Sequence, residues 1–220
     1  MAVIGVVGGS GGIGASSFAA VLAWVWRAVL IDLDGVGGGI DVLLGIESVP
    51  GARWSALRLG GGVLDPGVLV DGLPRWGPVP VLAADVMVSP HTREVLAAAS
   101  RAGPVVVDLP REPSLVRDEV AARCSLVVAL VGRDVRALVA ARSVVTGLPD
   151  VPVGLVLCPG VVPARQVGQY VTGRVLGVLR RPPGVGVHGP SRAAARLAAG
   201  IVKGASAPAG SHRTELVEVP

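Results

Sequence analysis

Lysine is almost absent from this 220-residue sequence: of its 20 basic residues, Lys203 alone is a lysine. A catalytic or phosphate-binding lysine is therefore excluded at every earlier position. The net charge of +4 is modest, and the isoelectric point near 10.0 mainly reflects the high pKa of arginine. Charge alone gives only weak support for an anionic partner.

Aromatic residues, cysteine and histidine are also scarce. Aromatic residues make up 3% of the chain, so the core must consist mainly of valine, leucine and alanine. Cys124 and Cys158 lie in apolar runs without the spacing of a metal site, and we expect buried, reduced thiols. His91, His188 and His212 are scattered along the sequence, which excludes a histidine metal centre with ordinary ligand spacing.

Long apolar segments are missing as well. Runs such as FAAVLAWVW, residues 18–26, fall well short of the ~20 residues that span a bilayer. The N-terminus has no basic segment typical of a secretory signal. With the two thiols, these absences predict a cytoplasmic protein.

Short valine- and leucine-rich runs alternate regularly with longer amphipathic ones. Continuous apolar runs indicate strands buried on both faces, as in a parallel sheet covered by helices. We therefore predict one doubly wound α/β domain, residues 1–203, with a mostly parallel sheet of six to eight strands and helices on both faces. The predicted strands lie at 2–7, 28–34, 79–85, 103–110, 125–132 and 151–160, and the predicted helices at 15–26, 91–102, 113–122, 134–147, 163–179 and 190–203.

Two segments lack this periodicity. Residues 58–78 are rich in turn-forming residues, which predicts an irregular excursion or a hairpin. Residues 204–220 contain small and polar residues without a period, so we expect a disordered tail or a remnant of cloning.

A glycine-rich loop, GGSGGIG at residues 8–14, connects the first predicted strand to the first predicted helix. Backbone N–H groups and the positive end of the helix converge at such a loop, which makes it an anion site. The simpler alternative is a turn that binds nothing. The loop fits two motifs: the dinucleotide-binding G-x-G-x-x-G, through Gly9, Gly11 and Gly14, and the phosphate loop G-x-x-x-x-G-K-[ST], with Ala15 in place of lysine.

The dinucleotide motif leads to a NAD(P)-dependent oxidoreductase similar to the short-chain dehydrogenases. That family needs a tyrosine followed four residues later by a lysine, which lowers the pKa of the tyrosine. The chain has one tyrosine, Tyr170, and Arg174 stands four residues on. Pro159 and Gly160 also precede this tyrosine instead of following it. The dehydrogenase alternative thus lacks its catalytic residues.

Two further motifs favour the phosphate loop. VLIDLDGVGGGIDVLLGIE, residues 29–47, has a strand ending in Asp-x-Asp before a glycine-rich turn and a leucine-rich helix, and VVVDLP, residues 105–110, places an aspartate at the end of a later strand. In this order the motifs resemble the MinD/ParA superfamily of deviant Walker ATPases, in particular its CpaE/TadZ branch and the actinobacterial septum-site-determining proteins. The resemblance covers residues 3–203 and implies a P-loop NTPase-like fold.

The resemblance also implies a set of site residues for ATP and Mg²⁺. Ser16 and Asp108 would contact the metal, Asp32 would support the metal shell, and Asp34 would orient the attacking water. For each aspartate the alternative is a carboxylate that caps a turn at a strand end. The nucleotide-binding residues implied are Gly9, Ser10, Gly11, Gly12, Ile13, Gly14, Ala15, Ser16 and Ser17.

Both lysines of the family's K-G-G-x-G-K-[ST] loop are absent, because Ser10 and Ala15 stand in their places. Each lost charge-assisted hydrogen bond costs ~1.5–3 kcal/mol, and phosphoryl transfer depends on positioning and charge. We therefore expect weak ATP binding with little or no hydrolysis. The segment 14–32 is also several residues shorter than in the family, and the glycine expected after the first helix is missing.

The function implied by the resemblance is spatial regulation, of septum-site or Flp/Tad pilus positioning. It implies protein partners from the division or pilus machinery, homodimerisation, and recruitment to the septum or the pole. The basic stretch at 174–203 fits a solvated face around a packed helix better than contact with DNA or an anionic membrane. A nucleotide-free scaffold is a third alternative.

Overall fold

Seven valine- and leucine-rich segments form the body of one sheet in the computed structural model, which describes residues 2–35, 38–57, 63–85, 91–205 and 217–218. Two strands of two residues extend its edges, and two more form a separate hairpin. The strands are β1 (Val3–Gly8), β2 (Val29–Asp32), β3 (Arg75–Trp76), β4 (Val79–Leu82), β5 (Val105–Leu109), β6 (Leu126–Arg133), β7 (Val153–Gly160), β8 (Arg174–Val178), β9 (Val185–Gly186), β10 (Gly189–Pro190) and β11 (Val217–Glu218).

The sheet has the order β11-β8-β7-β6-β1-β5-β2-β4-β3, and β3 alone of these described strands runs antiparallel to its neighbour. Every residue of β1, β2, β4 and β5 is buried, because helices cover both faces of these strands. The predicted doubly wound α/β fold with a mostly parallel sheet is confirmed. The seven longer strands also fall within the predicted six to eight.

Eight α-helices and one 3-10 turn lie in the described part of the chain. Their buried side chains divide into two clusters, one on each face of the sheet, with α1, α2 and α8 on one face and α3 to α7 on the other. The helices are α1 (Ala15–Trp26), α2 (Ile40–Leu44), α3 (Pro66–Asp71), α4 (Thr92–Ala102), α5 (Leu115–Ala121), α6 (Val135–Thr146), α7 (Ala164–Tyr170) and α8 (Arg192–Ala205), and the 3-10 turn is Trp54–Ala56.

Helix α1 coincides with the predicted helix at 15–26. Its middle, from Phe18 to Ala23, is fully buried because it packs against the sheet and against α8. Arg27 ends the helix in the left-handed conformation, with φ 54°, and its N–H donates to the carbonyl oxygens of Ala23 and Trp24. An arginine with this φ costs ~1–2 kcal/mol, so the glycine missing after the helix is replaced by a strained residue.

The predicted helix at 163–179 is wrong in its second half. Helix α7 ends at Tyr170, and residues 174–178 form β8, parallel to β7. Gly173 has φ 145°, and a Cβ there would come within 2.9 Å of Leu155. Gly154 in β7 accommodates Leu176, because a Cβ on Gly154 would lie 2.3 Å from that side chain. A strand therefore fits beside β7 where a helix would not.

The excursion at 58–78 contains the short helix α3 and the first strand of the β3–β4 hairpin, and its residues 58–62 lie outside the described residues. Of the tail predicted at 204–220, Gly204 and Ala205 continue α8 and Val217–Glu218 pair with β8. Residues 206–216 and 219–220 lie outside the described residues, and the domain boundary stays a prediction.

Cys124 and Cys158 are buried and free, as predicted. Burial raises the pKa of the Cys124 thiol to about 12 and that of the Cys158 thiol to about 11, so both stay protonated at neutral pH. Within the described ranges, none of the helices has the length and apolar character needed to cross a membrane.

Candidate functional site

The glycine loop is packed tightly at its start and open at its tip. A Cβ on Gly9 would come within 2.6 Å of the Ala141 side chain in α6, and the N–H of Gly9 donates to the carbonyl oxygen of Leu130 at 2.8 Å. Gly12, by contrast, has φ 70° and no described atom within 4 Å of an added Cβ. The tip of the loop is therefore exposed while its base is fixed to β6 and α6.

The loop leads directly into the N-terminus of α1, which has no side-chain cap. Gly14 is the N-cap residue, with φ 92°, and the first turn of α1 contains no acidic residue. The first N–H groups of a helix have no partner within the helix, and the helix dipole adds positive potential there. An anion is the ligand that such an uncapped helix start binds.

A cleft of about 540 Å³ lies between this loop and the carboxyl ends of β2 and β5. Open α/β sheets bind their ligands at this edge. All the predicted site residues line the cleft except Gly9, which is buried beneath the loop. The predicted residues that line it are Ser10, Gly11, Gly12, Ile13, Gly14, Ala15, Ser16, Ser17, Asp32, Asp34 and Asp108.

Asp32 and Asp108 lie side by side at the floor of the cleft, because they are register partners in the parallel pair of β2 and β5. Burial, and next the charge of Asp32, raise the pKa of Asp108 to about 8, against a hydrogen bond from the Ser16 hydroxyl that lowers it. Burial also raises the pKa of Asp32 to about 6, against hydrogen bonds from backbone N–H groups. Asp108 therefore holds a proton at neutral pH unless a cation is bound.

The carboxylate of Asp32 accepts hydrogen bonds from the surrounding backbone. Its Oδ1 accepts from the N–H of Asp34 at 2.9 Å, and its Oδ2 accepts from the N–H groups of Ile40 at 3.2 Å and Ala84 at 3.3 Å. The indole N–H of Trp54 donates to its carbonyl oxygen at 2.7 Å. Asp32 thus fastens the segments after β2 and β4, and it orients the backbone that carries the half-buried Asp34.

The donor set fits Mg²⁺ better than a transition metal. Within the described ranges, no three His, Cys, Asp or Glu side chains are grouped to hold a metal. Ser16 and Asp108 supply a hydroxyl and a carboxylate that line the same cleft. Mg²⁺ is usually held by one or two such oxygens, with phosphate and water oxygens completing its shell.

Arg111 and Glu112, in the loop between β5 and α5, also line the cleft, and neither was predicted. Their side chains form an ion pair, with Arg111 Nη2 2.5 Å from Glu112 Oε1. The only signal in the sequence is their position after Asp108 in DLPRE. The fully buried Arg117 holds this loop by donating to the carbonyl oxygen of Arg111 at 3.1 Å and to that of Gly147 at 2.7 Å.

Tyr170 lies away from the glycine loop. It is at the end of α7, and the guanidinium of Arg142 stacks over its ring at 5.0 Å from the centroid. Of the described residues that line the cleft, none is a tyrosine. The arrangement that a short-chain dehydrogenase needs is therefore not assembled here.

Comparison with known proteins gives relatives by sequence and by structure. No protein-family model matches the chain. Uncharacterized proteins from two strains of Mycobacterium tuberculosis are 37% identical to it over 194 residues, which is 83% of this chain and 55% of theirs. The chain therefore spans about half the length of the curated relatives it matches.

Solved structures of MinD and ParA proteins share the fold. A chain of the MinC:MinD cell division protein complex of Aquifex aeolicus aligns over 99% of this chain and 100% of its own, with TM-score 0.68 and 12% identity. A ParA family ATPase of Chlorobium tepidum covers 81% of this chain and 84% of its own, with TM-score 0.68 and 14% identity. The septum site-determining protein MinD of Pyrococcus horikoshii, complexed with Mg-ADP, covers 81% and 80%, with TM-score 0.59 and 15% identity. The chain has the fold of MinD and ParA ATPases.

Proposed function

We propose that this chain is a spatial regulator of the MinD/ParA superfamily, close in type to CpaE/TadZ and septum-site-determining proteins. Its degenerate phosphate loop would bind ATP weakly, with little or no hydrolysis. The single observation that carries the proposal is the convergence in one cleft of Ser16, in the first turn of an uncapped helix, and the buried Asp108 at the end of β5. A hydroxyl and a carboxylate so placed suit Mg²⁺ between them and a phosphate group.

The residues that line the cleft would have different roles in binding ATP and Mg²⁺. Gly11, Gly12 and Gly14 turn backbone N–H groups of the loop towards the phosphates, since the φ angles of Gly12 and Gly14 are positive. A bound Mg²⁺ would supply positive charge beside the phosphates, and Ser16 and Asp108 would hold it, with Asp108 in its deprotonated form. Asp32 holds the segment after β2 in place, and Asp34 at the rim would orient a water molecule.

Hydrolysis is expected to be slow because the loop has no lysine. Ala15 occupies the lysine position in the first turn of α1, and its methyl group offers no charge to the phosphates. Nucleotide would then act as a conformational ligand. The other lysine of the family's loop, which reaches across a dimer to the partner's nucleotide, is also absent, since Ser10 stands in its place. A nucleotide-dependent homodimer is still part of the proposal, but without this contact it should be weak.

The partners we propose are proteins of the division or pilus machinery, with a cytoplasmic chain recruited to the septum or the pole. The MinD of Aquifex aeolicus was solved in a complex with MinC, which supports a protein partner. The exposed residues Arg192, Arg196 and Lys203 lie on the outer side of α8, whose inner side packs against α1. This arrangement supports a solvated basic face more than a membrane or DNA contact.

Titration of the full chain with ATP and Mg²⁺ tests the proposal. Ala15→Lys should raise ATP affinity about tenfold, as expected from one charge-assisted contact, while Ala199→Lys on α8 serves as a charge-matched control and should not. An unchanged affinity in Ala15→Lys, together with micromolar binding of NADH by the natural chain, would favour the oxidoreductase instead. No binding of either nucleotide by any variant would favour a nucleotide-free scaffold.

A further inference from the structure

The cleft is rich in carboxylates and contains little positive charge. Asp32, Asp34, Asp108 and Glu112 line it, and Arg111 is the one basic residue among the described residues that do. A polyphosphate entering this cleft meets its favourable charge at Arg111, at the helix dipole of α1 and at any bound cation. Among the described residues that line the cleft, Arg111 is therefore the side chain that can replace the charge of the missing lysine.

The guanidinium of Arg111 reaches the phosphate loop from the opposite wall of the cleft. Its Nη1 lies 3.7 Å from the position that a Cβ would take on Gly11. Its Nε and Nη2 donate to Glu112 at 3.2 Å and 2.5 Å, so the Nη1 edge is the one beside the loop. A phosphate resting on the N–H groups near Gly11 would lie within reach of this edge.

The backbone beneath Arg111 is fixed, and its side chain is partly exposed. Arg117 is fully buried, and its bond to the carbonyl oxygen of Arg111 ties the loop to α5 and to the end of α6. The Arg111 side chain is 44% exposed and that of Glu112 is 70% exposed. An exposed ion pair of this kind contributes little, so a phosphate can take the place of Glu112 without a large loss.

Two other arginines, Arg133 and Arg53, are committed to backbone groups. Arg133 donates to the carbonyl oxygens of Cys158 at 2.9 Å and Val162 at 3.1 Å. Arg53 pairs with Asp41 and donates to carbonyl oxygens in the segment after α2. Neither is available to the loop without breaking these bonds.

We propose that Arg111, from the opposite wall of the cleft, makes the phosphate contact that the missing lysine would make. In the absence of nucleotide, Glu112 holds the Arg111 side chain. The inference rests on the proposed function, since it requires a nucleotide in the cleft. It adds a specific cation from the β5–α5 loop and a competitor for that cation. Arginine binds phosphate through two parallel N–H groups, which suits it to this exchange.

Calorimetric titration of the full-length chain with ATP and Mg²⁺ tests the exchange. Arg111→Ala should weaken ATP binding about tenfold or more, Arg111→Lys should recover part of the loss, and Glu112→Gln should tighten binding severalfold. The pair formed by Glu119 on α5 and Arg123 just after it is also partly exposed, at 46% and 41%, and does not line the cleft. Arg123→Ala and Glu119→Gln are therefore the matched controls, and both should bind ATP like the natural chain.

The failures are distinguishable. If the natural chain binds ATP and Arg111→Ala binds it equally well, the role of Arg111 is overturned while the nucleotide function stands. If neither the natural chain nor Ala15→Lys binds ATP, both proposals fall. If one cation replaces the other, Ala15→Lys should raise ATP affinity by a larger factor in Arg111→Ala than in the natural chain, and equal factors in the two backgrounds would contradict the replacement.

Discussion

The ends of β2 and β5 present two aspartates side by side, yet the structure uses them differently. Asp32 accepts three backbone N–H groups, from three points in the chain. Asp108 instead lines the cleft together with Ser16, and burial, followed by the charge of Asp32, raises the pKa of Asp108 above that of Asp32. One carboxylate therefore holds the scaffold together, while the other is available to a cation.

The largest effect is expected from Asp32→Ala, which removes the carboxylate that holds the segments after β2 and β4. Three backbone N–H groups would lose their acceptor, at ~1–3 kcal/mol each where they stay buried. We expect the free energy of unfolding to fall by about 3 kcal/mol or more, which lowers the melting temperature by roughly 6–12 °C. Thermal unfolding followed by circular dichroism measures this, with the exposed Asp150→Ala as a control that should melt like the natural chain. A fall in melting temperature no larger than that of the control would show that the hydrogen bonds to Asp32 do not stabilise the fold.

The opposite effect is expected from Asp108→Asn in the absence of metal. Between its ordinary pKa of 3.8 and its raised pKa of about 8, the folded chain keeps a proton that the unfolded chain has lost. Stability therefore falls as pH rises through this window. Asparagine removes this loss, so the variant should be more stable at pH 7 by about 1 kcal/mol or more, or about 2–4 °C.

Melting temperatures measured from pH 4 to pH 9 check the sign. In Asp108→Asn the remaining decline should be confined below about pH 6, where Asp32 titrates. A variant that is less stable than the natural chain at pH 7 without metal, or that keeps the full decline up to pH 8, would contradict the assignment of a proton to Asp108.

The smallest effect is expected from Ser16→Ala. The variant removes one hydrogen bond to Asp108, which should cost about 1 kcal/mol of stability but should remove most of the stabilisation that Mg²⁺ and ATP together provide. Ser143→Ala, at an exposed position of α6, is the control. Thermal shifts with and without the ligands distinguish the two roles, since equal shifts in Ser16→Ala and the control would leave Ser16 a structural residue only.

The parts of this site that follow from local patterns could be predicted from the sequence. Continuous apolar runs predict the strands, and Asp32 and Asp108 stand where those runs end, so the edge on which they meet follows from a parallel sheet. Helix α1 was predicted at its observed bounds because the glycine loop marks its start. The apolar residues in the middle of α1 predict that this helix packs against the sheet.

The rest depends on contacts between distant residues. The bond from Ala84 to Asp32 spans 52 residues, and Arg111 lies beside Gly11 only after β5 has taken its place next to β1. Residues 174–178 are predicted as helix because their own sequence fits a helix as well as a strand. Pairing with β7 selects the strand. Pro183 lies 3.1 Å from a Cβ built on Gly14, and nothing in either segment alone predicts that contact.

Proton release on binding tests most directly whether Asp108 is the residue kept ready for a cation. Titration of the chain with Mg²⁺ and ATP at pH 7, in two buffers of different ionisation enthalpy, gives the number of protons released per nucleotide. We predict about one proton for the natural chain, because Asp108 loses the proton that burial lets it keep, and none for Asp108→Asn. Binding without proton release, or the same release from both proteins, would contradict the assignment of the two aspartates.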